Sequence, residues 1–224
     1  MKKKIKKIFP VVLLLLGVVL ILVIGYLIYQ SPIKEAEKRN EAEEKIIENY
    51  LDDQTADENA PPVPEESTDE PTYQFSDVDD YSFQGNIDSI LVIDKINLKK
   101  AIIRGNTLSD NDYNLSKYYF VTADLTTTLE GNYVIYGHSS QTYGHSFNRL
   151  DELAVGDRFY LLQGDGKYNY EVESVDRVLR SESESFFPDL KKRVTLVSCE
   201  KYLASGYSEK RVIVVRAMQT GKGQ

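Results

Sequence analysis

The chain has 224 residues, a formal net charge of −8, one Cys, two His, no Trp and sixteen Tyr. That length holds one ordinary domain with appendages, or one large domain, and is enough for a core. The acid excess argues against a nucleic-acid binder. One Cys excludes an internal disulfide framework and a Cys-rich zinc site, and two His leave little for a His-based metal site.

The charge is unevenly spread. Residues 1–7 hold five Lys and no acid, residues 30–80 hold four bases and seventeen acids, and residues 81–224 hold eighteen of each. Three segments with different charge logic point to three different jobs.

The first segment reads as a membrane anchor. Val11 to Ile28 (VVLLLLGVVLILVIGYLI) is an unbroken uncharged run, and with Phe9, Pro10 and Tyr29 it reaches the length needed to cross a bilayer. It is longer than the apolar region of a cleavable signal peptide and ends in Tyr26, Tyr29 and Gln30, without a small-x-small cleavage site. The expected layout is a cytoplasmic basic tail over 1–8, a transmembrane helix over 9–29, and everything beyond on the outer side. The second segment, 30–80, reads as an extracellular spacer. Lys34 to Leu51 is rich in helix formers, with i,i+4 pairs Glu35–Arg39 and Glu41–Lys45, and gathers its apolar residues only at Ile46, Ile47, Tyr50 and Leu51. A solvated or marginal helix is expected there. From Asp52 to Asp80 the chain is acidic and carries Pro61, Pro62, Pro64 and Pro71, a composition with too little apolar surface to fold on its own.

The third segment, 81–224, reads as a β domain. Strand-like runs rich in Val, Ile and Tyr occur at 90–96, 101–104, 132–136, 158–163, 167–179, 193–199 and 211–218. Gly105-Asn106, Gly131, Gly156-Asp157 and Gly164-Asp165-Gly166 separate several of them as turns. Ser146–Leu153 is a short helical candidate. Seven or eight short strands with little helix predict an all-β fold, a closed barrel or a sandwich.

Three places on these strands carry chemistry: Val134-Ile135-Tyr136-Gly137-His138-Ser139, Thr195-Leu196-Val197-Ser198-Cys199, and Lys210-Arg211-Val212-Ile213-Val214-Val215. An unpaired Cys in an extracellular chain needs a reason, and catalysis and simple burial both remain open from that residue alone. Side-chain alternation puts Thr195, Val197 and Cys199 on one face of their strand. If the last two strands are antiparallel neighbours, Cys199 and Arg211 share one end of the sheet. Arg211 is then better placed than Arg216 to reach the Cys.

At these residues the sequence resembles the sortase family, whose members carry a strand ending in Gly-His, a Thr-Leu-x-Thr-Cys segment and an Arg opening the next Val/Ile-rich strand. Here the matching residues are Tyr136-Gly137-His138, Thr195 to Cys199 with Ser198 in place of the second Thr, and Arg211 to Val215. The resemblance covers about residues 85–220. It implies a closed eight-stranded β-barrel with short helices, and a cysteine transpeptidase that cuts a Leu-Pro-x-Thr-Gly-like sorting signal after Thr and passes the acyl group to an amine. The implied partners are secreted proteins bearing the signal, an amine acceptor such as a peptidoglycan precursor or pilin, and the bilayer. Carried over, Cys199 is the nucleophile, His138 the general acid/base, and Arg211 the stabiliser of the oxyanion or of the substrate backbone.

Around that centre, Ser198 and Thr195 are candidate substrate contacts, Ser198 equally a satisfied wall residue. His145 is a second Gly-His candidate, read as a loop residue at the rim. The segment Arg180–Lys192 is the expected specificity loop, with Phe186 and Phe187 as substrate contacts or as plugs of the barrel. No cofactor is expected. Glu182 and Glu184 could join Asp112 or Asp124 around calcium, as in some relatives, yet scattered acids of this kind are usually only solvated and no metal is assigned. The short separation of His138 from Cys199, and the lack of a second apolar run or an Asp-Pro-aromatic lid, favour a class A- or D-like enzyme over classes B and C. Two other readings stand beside this one. A papain-like hydrolase would place Cys before His, the reverse of the order here. A non-catalytic wall-binding β-domain would have no use for Cys, His and Arg together.

Overall fold

The computed structural model describes residues 2–56, 83–118, 120–139, 146–183, 187, 191–199 and 211–223. Residues 57–80 of the predicted spacer, His145, Phe186, Glu184 and the 200–209 loop lie outside the described residues. The chain divides into two compact units, Met1–Glu41 and Ala42–Gln224. Helix α1 (Lys2–Ala56) supplies the first unit and the opening of the second. In the first unit the apolar side chains from Leu14 to Leu27 are exposed, Ile21 at 71% and Leu22 at 67%. Among the described residues no helix is long and apolar enough to cross a membrane. The side chains described in the 9–29 run begin only at residue 14.

The second unit is a closed barrel of eight strands, β1 (Asn86–Ile93), β2 (Leu98–Arg104), β3 (Val121–Ala123), β4 (Asn132–Tyr136), β5 (Arg158–Gln163), β6 (Gly166–Leu179), β7 (Arg193–Cys199) and β8 (Arg211–Gly223). Around the barrel they run β1-β2-β3-β4-β7-β8-β6-β5. Neighbours are antiparallel except β2 with β3 and β4 with β7, which are parallel. The eight-stranded barrel expected from the sequence is the observed fold. Its local grammar is also visible: Gly164 takes the left-handed conformation (φ 55°) in the β5–β6 turn, and Asn97 does the same (φ 51°) after a 3-10 turn over Asp94–Ile96.

The sequence reading omits three elements, one of them a single-turn helix over Arg180–Ser183. The three residues of β3 are too few to stand out. Helix α2 (Leu108–Tyr118) starts at a reciprocal cap, with Asp110 N–H donating to Thr107 Oγ1 at 3.2 Å and Thr107 N–H donating to Asp110 Oδ2 at 2.9 Å. The Thr-x-x-Asp spacing was the signal for it. The predicted helix at Ser146–Leu153 shrinks to one 3-10 turn over Leu150–Glu152. The start of that segment is drawn into a bridge between Ser139 and Ser146, with Phe147 N–H donating to His138 C=O at 2.9 Å.

Inside the barrel, Leu91, Ile102, Tyr133, Ile135, Phe147, Leu161, Leu196, Ile213 and Val215 form the main core. At its edge Tyr133 donates its hydroxyl to Asp88, which also receives Arg104 Nε at 2.9 Å. Burial pushes the Tyr133 phenol well above its ordinary pKa, so it serves as a neutral donor.

A second cluster lies outside the barrel and changes the reading of α1. Ile46, Ile47 and Tyr50 are buried against Ile87, Ile90, Val92, Ala101, Ile103 and Phe120. Glu43 completes the docking: it takes Lys100 Nζ in a buried ion pair and accepts Ala101 N–H at 3.2 Å. The C-terminal turns of α1 are therefore not a solvated helix but a cover for the outer faces of β1 and β2. The compact unit begins at Ala42, well before residue 81. Removing one member of a buried pair strands the other charge and costs about 3–5 kcal/mol, whereas replacing both by apolar groups is often neutral. In a soluble form beginning at Ala42, Glu43→Ala should therefore lower unfolding free energy by about that amount in urea titration. Glu43→Leu with Lys100→Met should recover most of it.

Candidate active site

The parallel ladder of β4 with β7 builds the site. Asn132 pairs with Arg193, Val134 with Thr195 and Tyr136 with Val197. Carrying the same offset two residues further brings His138 opposite Cys199. The chain follows that course at least one step, since Gly137 N–H donates to Val197 C=O at 3.1 Å. On the other side of β7, Cys199 pairs with Val212 of the antiparallel β8, one residue from Arg211. The backbone thus gathers His138, Cys199 and Arg211 at one end of three adjacent strands.

Gly137 is required for this arrangement. A Cβ there would lie 2.7 Å from two ring atoms of Phe147 and 2.9 Å from Ser146 Oγ. Phe147 in turn holds the His138 carbonyl. The Gly before the His therefore lets a core aromatic pack flat under the turn, and this fixes the His backbone from below.

Above the strands lies a cleft of about 270 Å³, lined by Leu115 of α2, Tyr136, Gly137 and His138, Arg180 and Ser183 of α3 (Arg180–Ser183), Phe187, Val197, Ser198 and Val212. Its floor is apolar because the outward residues of β4, β7 and β8 (Val134, Val197, Val212 and Val214) form a third cluster, against which Tyr136 and Phe187 pack. Those two rings meet edge to face at 6.1 Å. Among the described residues, no Asp or Glu is in its lining.

The predicted site residues divide as follows. His138 and Phe187 line the cleft. The described part of Cys199 is its backbone, at the position next to Ser198 and two beyond Val197. Ser198 touches the cleft but is 2% exposed, and among the described residues its hydroxyl has no hydrogen-bond partner. Arg211 is exposed beside the cleft rather than among its lining, with Nη2 donating to Arg177 C=O at 3.2 Å. Thr195 is fully buried, and its hydroxyl donates to Asn132 Oδ1 at 2.7 Å. It is thus a wall residue, not a substrate contact: Asn132 Nδ2 passes the constraint on to Phe187 C=O at 2.8 Å, so Thr195 helps hold the loop that carries Phe187. Among the described residues no three His, Cys, Asp or Glu side chains are grouped as a metal site requires. Asp124 is instead tied to Thr126 N–H at 2.9 Å, and Glu182 to Leu179 N–H at 3.3 Å.

Sequence reasoning missed Asn132, Leu115 and Arg180. Arg180 follows Leu179, the Cα partner of Arg211 across the β6–β8 ladder, so the end of β6 belongs to the same rim. Burial, and then the Arg180 charge, hold the His138 imidazole below its ordinary pKa.

The sortase-domain family model matches residues 91–219, from within β1 to within β8. The chain belongs to the sortase family. Sortases are cysteine transpeptidases. Over 70 residues, 31% of this chain and 33% of the relative, it is 31% identical to sortase A of Bacillus anthracis, so the aligned stretch spans about a third of that relative's length. Among solved structures it resembles sortase A of Listeria monocytogenes (TM-score 0.51, 18% identity, 61% of this chain and 88% of that one). It also resembles a sortase D5 transpeptidase of Clostridium perfringens (TM-score 0.50, 22% identity, 62% and 83%). At these identities the likeness is one of fold.

The electrostatics make a testable statement. Replacing Arg180 by Gln removes a positive charge that disfavours the imidazolium, so the His138 pKa should rise toward its ordinary value of about 6.5. Titration of the imidazole by NMR should show His138 below 6.5 in the unaltered protein and higher in Arg180→Gln. An unchanged or lower value would contradict the assigned cause.

Proposed function

We propose that this sortase is a membrane-anchored cysteine transpeptidase that cleaves a Leu-Pro-x-Thr-Gly-like sorting signal after Thr and joins the protein to a cell-wall or pilin amine. The observation that carries the proposal is the β4–β7 register up to Tyr136↔Val197, whose continuation would set His138 opposite Cys199, with Val212, the β8 partner of Cys199, next to Arg211. Cys199 as thiolate attacks the Thr carbonyl carbon, and the oxyanion that forms is stabilised by the Arg211 guanidinium, which stays charged and offers directed donors. The Thr–Gly bond breaks as His138 protonates the leaving Gly amine, leaving a thioester on Cys199. An incoming amine attacks the thioester carbonyl, gives its proton to His138 and expels the Cys199 thiolate, which restores the enzyme. A neutral imidazole favoured by its half-buried setting suits the second half of this cycle.

The apolar floor and Phe187 suit the Leu-Pro part of such a peptide, and Ser198 offers a buried hydroxyl beside the nucleophile. Anchoring by residues 9–29, with the N-terminus inside and the barrel on the outer face of a Gram-positive cell, is supported by the basic tail and by the exposed apolar side chains of α1. Residues 180–192 alone join β6 to β7, too few for a long helical insertion, which favours a class A- or D-like enzyme.

Incubation of the soluble barrel with a fluorogenic Leu-Pro-x-Thr-Gly peptide library and amine acceptors tests the reading. Cleavage with an amine adduct, abolished in Cys199→Ala, is expected. His138→Ala should reduce turnover about 10²–10⁴-fold and Arg211→Ala about 10²–10³-fold, while His145→Ala keeps most of it. Cleavage without any adduct would point to a hydrolase, and no reaction with any peptide to a binding domain.

A further inference from the structure

Helix α2 supplies one wall of the cleft through Leu115, yet it lacks the buried apolar stripe that usually holds a surface helix to its domain. Leu108 is exposed, and Tyr113 and Leu115 are only half-buried. Among the described side chains of α2 the buried ones are two amides, Asn111 and Asn114. Asn111 Oδ1 accepts Gly105 N–H at 2.8 Å, and its Nδ2 donates to Ala123 C=O at 2.8 Å, at the end of β3. Asn114 is fully buried. Its Oδ1 accepts Gln84 N–H at 2.8 Å and its Nδ2 donates to Gln84 C=O at 2.8 Å, so one amide takes both backbone groups of a single residue. The two Asn are three residues apart on one face of the helix, and Leu115 follows the second directly.

Gln84 is itself held by both of its chain neighbours. Phe83 meets Phe120 edge to face at 5.9 Å, and both belong to the cluster covered by Ile46, Ile47 and Tyr50 of α1. Gly85 has a φ of 103°, and a Cβ there would lie 2.1 Å from the Arg104 carbonyl oxygen, so only Gly passes. A planar amide with one acceptor and one donor suits this support, because directional bonds fix the height of a helix where apolar contact lets it slide. We propose that Asn114 is a positioning residue for peptide binding, whose two bonds to the Gln84 backbone set Leu115 in the wall of the cleft. This rests on the transpeptidase reading. Leu115 has no group that moves a proton or carries charge, so its displacement weakens binding and leaves the chemical step alone.

The test is steady-state kinetics of the full chain in detergent micelles, with the Leu-Pro-x-Thr-Gly-like peptide that it turns over best. Asn114→Leu, which loses both bonds, should raise KM about ten-fold, since a displacement of about 1 Å can cost more than that, and should leave kcat within about two-fold. Leu115→Ala should raise KM alike. The double variant should bind no worse than Leu115→Ala alone, because a residue that acts through Leu115 has nothing left to position. Asn114→Ser, which keeps a hydroxyl donor and acceptor, should fall between, and it takes the place of Asn114→Leu in the cycle if circular dichroism shows that variant unfolded. An unchanged KM in Leu115→Ala, additive effects in the double variant, or a loss confined to kcat would overturn the inference and leave the transpeptidase reading standing. Failure of the unaltered chain to turn over any peptide would overturn that reading, and this role of Asn114 with it.

Discussion

The site depends on one constraint, the parallel hydrogen-bonded ladder between β4 and β7. Parallel pairing keeps a constant offset along both strands, so the residues just past their ends are delivered side by side. His138 is in the chain sixty-odd residues before Cys199, yet the ladder makes them neighbours without any contact between their own side chains being needed for folding. Gly137 protects the arrangement by leaving room for Phe147, and Phe147 holds the His138 carbonyl. The chemistry therefore sits at the end of a rigid element, with its supports in the core.

A barrel needs apolar side chains only on the inner face of each strand, and this chain departs from that in two places. β1 buries Ile90 and Val92 outward as well as Leu91 and Ile93 inward, and β4, β7 and β8 turn Val134, Val197, Val212 and Val214 outward. Each outward patch has a use. The first is covered by the last turns of α1, locked by the Glu43–Lys100 pair. The second is the floor of the cleft, roofed in part by Phe187. The two surplus apolar faces thus divide structure from function on opposite strands of one barrel.

Much of this was legible in the sequence for physical reasons. Asn132–Tyr136, Arg158–Gln163 and Arg193–Cys199 were short runs of β-branched, aromatic or Leu side chains, the first two bordered by Gly turns, and their limits agree with the observed strands. The order of His, Cys and Arg at strand ends survives because it is a property of the backbone. What was missed depends on partners distant in the chain. Ile46, Ile47 and Tyr50 looked like the tail of a solvated helix because their cover, the outer face of β1, is visible only once the barrel closes. The unbroken Ile-Leu-Val-Ile of β1 was the hint that both its faces are buried. Thr195 has the right parity for a substrate contact, but its hydroxyl is taken by Asn132 from the neighbouring strand. Arg180 was hidden inside a loop of mixed charge, and only the β6–β8 register brings it to the rim.

At this strand end burial, and then the Arg180 charge, hold the His138 imidazole below its ordinary pKa. The proposed chemistry needs His138 opposite Cys199, where the β4–β7 offset, continued two residues, would bring it. The chain holds a single Cys, so that pairing can be read directly with His138→Cys. Adjacent strands lie about 4.8 Å apart, within the span a disulfide bridges. Under mild oxidation the account predicts rapid intramolecular closure, seen by alkylation and mass as the loss of both free thiols in a monomer. Two free thiols, or disulfide-linked dimers in place of the closed monomer, would contradict it.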